Sequence, residues 1–86
     1  MTTYTVVWHE KALDELAEIW IASEQQQAVT GSVKSIDRIL RSDPSIKGVD
    51  FYGDRLLVVL PLAVVYVVKD QDRVVEIVAV TASRKT

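Results

Sequence analysis

The sequence predicts an α+β domain ordered as one strand, two helices and a C-terminal antiparallel sheet. Three observations predict it. Apolar residues alternate at the N-terminus, recur at three- and four-residue steps through the first half, and gather into closely spaced β-branched runs in the second. Eighty-six residues suffice for one core and not for two. The expectation is therefore a single domain over residues 1–86.

Thr3 to Trp8 reads as the opening strand, with Tyr4, Val6 and Trp8 on one face and Thr5 and Val7 on the other. From about Glu10 the period changes. Leu13, Leu16, Ala17 and Trp20 mark an inward helical stripe, and Lys11, Asp14, Glu15 and Glu18 mark its wet side. Ser23-Glu24-Gln25-Gln26 has capping-box spacing, so a second helix is expected to start there. Its inward stripe is Val29, Val33, Ile36 and Leu40, and Ser42-Asp43-Pro44 should end it. The short break between the helices implies an antiparallel helical hairpin.

After a loop through Gly48 the strands are Arg55 to Leu60, Leu62 to Lys69 and Arg73 to Thr81, turning at Pro61 and at Asp70-Gln71-Asp72. Phe51-Tyr52 is a candidate for a further short strand before Gly53. Such tight spacing requires antiparallel hairpins. The run from Leu62 to Lys69 is apolar on both faces, Val64, Tyr66 and Val68 on one and Ala63, Val65 and Val67 on the other. Two helices cover only one face of a small sheet, so a partner chain, a homodimer or wrapping of the sheet must cover the second.

Composition excludes several classes. With no cysteine, neither disulfides nor thiolate metal sites exist, which suits a reducing cytoplasm. Met1-Thr2-Thr3-Tyr4-Thr5 carries no basic region leading into an apolar stretch, so no secretory signal is expected. The longest apolar run, Leu56 to Val68, is thirteen residues interrupted by Pro61, short of the ~20 that span a bilayer. Buried sheet rather than membrane is expected. A net charge of −2 speaks against phosphate-backbone binding by charge. Residues 1–43 carry seven acids and four bases, residues 44–86 five acids and six bases.

Several phrases resemble the RelE/ParE superfamily of toxin–antitoxin toxins. They are Trp8-His9-Glu10-Lys11-Ala12-Leu13-Asp14-Glu15-Leu16-Ala17-Glu18-Ile19-Trp20, Ile36-Asp37-Arg38-Ile39-Leu40 with Asp43-Pro44, the hairpin from Arg55 to Val68, and the strand Val75-Glu76-Ile77-Val78-Ala79-Val80. The resemblance spans nearly the whole chain and rests on the order of these phrases rather than on any single fingerprint. It implies a β-α-α-β-β-β fold, a small curved antiparallel sheet with the helical hairpin on one face. It also implies a cognate antitoxin as partner, a cytoplasmic setting and no cofactor or metal.

RelE-like members are metal-free endoribonucleases that cut messenger RNA on the ribosome, and ParE-like members inhibit DNA gyrase. Cleavage requires a group to activate the 2′-hydroxyl, cations for the phosphate charge and a proton donor for the leaving oxygen. The resemblance carries Arg55 over as the basic residue opening the central hairpin and Arg84 as the one after the last strand, with Lys85 beside it. These three are the candidate catalytic residues of a degraded nuclease site. Where many members place an arginine this chain has Ala63, and Thr81-Ala82-Ser83-Arg84-Lys85-Thr86 lacks a closing aromatic.

The plainer readings stand beside these. Arg55, Arg84 and Lys85 also read as solvated charges at strand ends. His9, the sole histidine, reads as structural at its strand-to-helix junction, and Tyr66 as core with its hydroxyl at a rim. Trp8 and Trp20 read as core or partner-facing anchors, and Asp14, Glu15 and Glu18 as a solvated face rather than a metal site. The sequence therefore leaves three functions open: an antitoxin-bound toxin with ribonuclease activity, a non-catalytic inhibitor of a protein such as gyrase, and a catalytically degenerate homodimeric relative.

Overall fold

Each helix of this chain is too short to be stable alone, so both lie against a sheet that supplies apolar contact. A computed structural model describes residues 3–83. Strand β1 (Thr5–Trp8) leads into α1 (Glu10–Ala22) and α2 (Gln26–Leu40). A single 3-10 turn (Pro44–Ile46) follows, then β2 (Val49–Phe51), β3 (Asp54–Val59), β4 (Leu62–Lys69) and β5 (Val74–Ala82). The five strands form one sheet in the order β1-β5-β4-β3-β2.

The sheet is antiparallel except at one edge, where β1 runs parallel to β5. The expected antiparallel sheet is present in β2 to β5, and β1 joins its edge in parallel. The helical hairpin carries the chain back across the sheet after β1, the long crossover that parallel pairing requires. The opening strand is also shorter than Thr3 to Trp8, because the Tyr4 amide donates to the Arg41 carbonyl rather than to a strand. The short strand anticipated at Phe51-Tyr52 is present as β2, shifted to Val49–Phe51. Tyr52 (φ 52°) and Gly53 (φ 90°) form the two-residue turn into β3, both with the positive φ of a type I′ hairpin.

The core lies between the helices and one sheet face. Ala12 of α1 and Val29, Ile36 and Leu40 of α2 meet Leu62, Val64 and Tyr66 of β4 and Val75, Ile77 and Val80 of β5. Each fully buried aliphatic side chain contributes about 1.5–3 kcal/mol relative to exposure. The α2 stripe is the expected one, with Ser32 added. Its hydroxyl donates to the Val59 carbonyl, tying α2 to β3.

Helix α1 is turned from the expected face and keeps only Leu16 of the expected stripe inward. Ala12, Leu16 and Ile19 point to the core, whereas Leu13, Ala17 and Trp20 are exposed. The sequence carries two adjacent apolar stripes on α1, and the smaller residue, Ala12, allows the closer approach to β5. Glu15 likewise leaves the solvated face, because its Oε1 accepts a hydrogen bond from the Val80 amide at 3.1 Å. Strand β1 stops opposite Ile77, so the next outward amide of β5 has no strand partner and the carboxylate takes it.

The capping box does not form. Ser23 ends α1, its amide donating to the Trp20 carbonyl and its hydroxyl accepting from the Gln25 amide, and Gln25 caps α2 without a side-chain bond. Two elements compete for Ser23, and the end of α1 takes it. The stop at Asp43-Pro44 is as expected, with α2 ending at Leu40 and Asp43 left-handed (φ 48°).

Candidate functional site

The sheet face turned away from the helices carries the second set of β4 side chains, Ala63, Val65 and Val67. Register places Val58 beside Ala63, and Val49 and Leu56 in line with Val65. At the β1 edge Val7 aligns with Glu76 and Val67. No element among the described residues lies over this face. Val7, Val49, Phe51 and Val58 are exposed, Val58 at 50%. Ala63 is buried and Leu56, Val65 and Val67 half-buried on the same face, so its exposed part is what a covering partner or second copy would meet.

Charge enters this face at Glu76 of β5, between Val7 of β1 and Val67 of β4. Glu76 lies between two bases, its Oε2 3.3 Å from Lys69 Nζ and its Oε1 3.5 Å from His9 Nε2. The single histidine thus sits at the head of α1 against β5, in line with a structural reading. Apolar side chains interrupted by few charges suit a protein-binding surface.

A second apolar surface runs along the outside of the helical hairpin. Leu13, Ala17, Trp20 and Ile21 of α1 and Val29 and Val33 of α2 line an open groove of about 480 Å³. It is built from the α1 stripe that the core leaves out.

Arg55 occupies a different setting from either surface. It lies on the helix-side face of β3, paired across the ladder with Tyr66, and is half-buried. Its Nε donates to the Lys47 carbonyl at 2.8 Å and its terminal NH2 to the Gly48 carbonyl at 3.1 Å. The Tyr66 hydroxyl is 2.6 Å from the Lys47 carbonyl oxygen and 2.9 Å from that of Pro44. Burial pushes the Tyr66 phenol up from its usual value, and nearby Arg55 opposes the shift. Gly48, at φ 65°, has no room for a Cβ, which would overlap the Leu56 carbonyl. Arg55, Tyr66 and Gly48 together clamp the 44–48 loop onto the sheet.

Two of the five guanidinium donors of Arg55 are spent on this loop. Arg84 and Lys85 lie outside the described residues. Ala63, at the position where the resemblance expects an arginine, is buried on the outer sheet face. Among the described residues no group of three or more His, Cys, Asp or Glu side chains is arranged to hold a metal ion. The loop clamp escaped sequence reasoning because its acceptors are main-chain carbonyls. The left-handed Gly48 was the one available signal.

No protein-family model and no curated protein matches the chain. Solved structures do. The chain superposes on the RelBE2 toxin–antitoxin complex of Mycobacterium tuberculosis with a TM-score of 0.77 at 18% identity, covering 99% of this chain and 97% of that one. A chromosomal ParDE system from P. aeruginosa gives 0.70 at 15% identity over 98% and 100% of the two chains. The archaeal RelE–RelB complex of Pyrococcus horikoshii gives 0.64 at 17%, covering both chains entirely. The chain thus shares its fold with chains of these toxin–antitoxin structures. More narrowly, the chain has the RelE/ParE fold.

Proposed function

We propose that this protein is the toxin-like component of a type II toxin–antitoxin pair and that its antitoxin covers the outer face of the sheet. The supporting observation is that face itself. An apolar surface on which Val49 and Val58 are exposed and Leu56, Val65 and Val67 half-buried belongs to a fold whose solved neighbours include toxin–antitoxin complexes. Exposed apolar surface of this extent is a liability to a lone chain and an asset to a bound one.

Of the two activities that the fold hosts, inhibition of a protein target is the better supported. Arg55 directs two donors at loop carbonyls, Ala63 replaces a basic side chain, and the net charge is −2. Each weakens phosphate binding, and none weakens protein contact. Ribosome-dependent cleavage of messenger RNA would fall to Arg55 with Arg84 and Lys85.

Two assays on the purified chain separate the activities. The proposal expects inhibition of gyrase supercoiling, with messenger RNA left whole in a ribosomal translation mixture. Messenger cut at the ribosome, with supercoiling untouched, would establish the ribonuclease instead.

A further inference from the structure

We propose that the sheet end where the β2–β3 and β4–β5 turns lie side by side is the surface that grips the target, a protein presenting basic side chains around an apolar pocket. The inference rests on the toxin reading above and names its point of contact.

The first argument is backbone conformation. A positive φ suits glycine and asparagine and strains a bulky residue, and such outliers gather where function requires the side chain. The β2–β3 turn carries Tyr52 at φ 52°, a position that favours asparagine or glycine. The β4–β5 turn, closed by the Arg73 amide donating to the Asp70 carbonyl at 3.3 Å, carries Arg73 at φ 56°. Neither side chain is buried in return. Tyr52 is 93% exposed, its ring edge-on to that of Phe51 at 4.9 Å, and Arg73 is exposed as well.

The second argument is placement. Arg55 pairs with Tyr66 and Lys69 with Val74, so both turns leave the same end of the sheet. They stand two strand spacings apart, about 10 Å, within the span of one protein contact. Tyrosine and arginine are enriched among the residues that carry binding energy at protein interfaces. Ile46, Val49 and Phe51, all exposed, lead into Tyr52 and enlarge its apolar surroundings.

The third argument is charge. Asp50 and Asp54 flank Tyr52 along the chain, and Asp70 and Asp72 precede Arg73. None of the four is ion-paired among the described residues, where the acids in ion pairs are Asp37 and Glu76. Of the bases beside them, Lys69 is 3.3 Å from Glu76, and Arg55 is turned to the Lys47 and Gly48 carbonyls. The turns therefore set carboxylates around an aromatic, which suits a basic protein surface and repels nucleic-acid phosphates.

Growth after induction, messenger RNA integrity and the thermal midpoint of the purified chain together test this. Tyr52→Asn combined with Arg73→Gly relieves both turns, so the midpoint should hold or rise. The native chain should slow growth with messenger intact, and this double variant should need roughly tenfold more protein for the same effect. Asp50→Asn combined with Asp72→Asn should weaken the effect about threefold or more. Glu24→Gln, which shares a cavity with Pro61 at the opposite end of the sheet, should not. A turn variant as toxic as the native chain would overturn the surface and leave the toxin reading standing, whereas a native chain without effect on growth would overturn both. Messenger cut by the native chain and spared by the turn variant would replace the protein target with RNA and overturn the proposal. Carboxylate variants equal to the native chain would remove the basic partner and overturn it too. So would a lowered midpoint in the turn variant, because Tyr52 and Arg73 would then serve the fold.

Discussion

The Tyr66 hydroxyl and the Lys47 carbonyl oxygen lie 2.6 Å apart, joining the central strand to the loop that enters the hairpin β2–β3. Arg55 reaches the same carbonyl from the neighbouring strand at 2.8 Å. One main-chain oxygen is thus the meeting point of two side chains that, by sequence, are apolar-strand punctuation.

Tyr66→Phe removes the hydroxyl and leaves the Pro44 and Lys47 carbonyls to other donors. Chemical denaturation should show a loss of about 1–3 kcal/mol. A loss below about 0.5 kcal/mol would mean that the loop is not held through this residue.

Alkaline stability should report the same residue. The Tyr66 phenol is raised by burial, so the folded protein favours its neutral form. The stabilisation is fully present below the ordinary tyrosine value near 10 and is lost as pH rises through the higher folded value. Unfolding free energy measured from pH 9 to 11 should fall more steeply for the native chain than for Tyr66→Phe. Parallel curves would contradict this.

Gly48→Ala places a Cβ against the Leu56 carbonyl in a left-handed backbone. A destabilisation of about 2 kcal/mol or more is expected, combining conformational strain with steric overlap. Thermal unfolding checks it, and a neutral result would show that the loop adopts another backbone path.

Glu15→Ala strips the Val80 amide of its acceptor at the edge where β1 has ended. Stability should drop by about 1–2 kcal/mol, and the Val80 amide should lose protection in hydrogen exchange. Unchanged protection would assign that amide another partner.

The contrast between these residues shows what was legible in the sequence. The α2 stripe Val29, Val33, Ile36 and Leu40 and the hairpin around Pro61 were readable, because a dominant period and a proline each have one structural solution. The inward face of α1 was not. Two apolar stripes share that helix, and choosing Ala12 over Leu13 depends on how closely β5 approaches. Ser23 fits either helix end on spacing alone, and the end of α1 takes it. The β1–β5 pairing was hidden for a further reason: strand direction is set by the path of the whole helical hairpin, not by the residues of the strand. Of the candidate site, the double-faced β4 announced an uncovered surface, whereas the engagement of Arg55 with carbonyls left no trace in side-chain identity.

The central claim is that this fold acts as a toxin through a protein target. Growth after tightly controlled induction in bacteria, followed together with messenger RNA integrity, tests it most directly. The comparison is the native chain against Arg55→Ala combined with Arg84→Ala. The account predicts slowed growth with intact messenger, retained in the double variant provided that it stays folded. Growth unaffected by a soluble, folded native chain would contradict the toxin reading, and cut messenger that disappears in the double variant would contradict the choice of target.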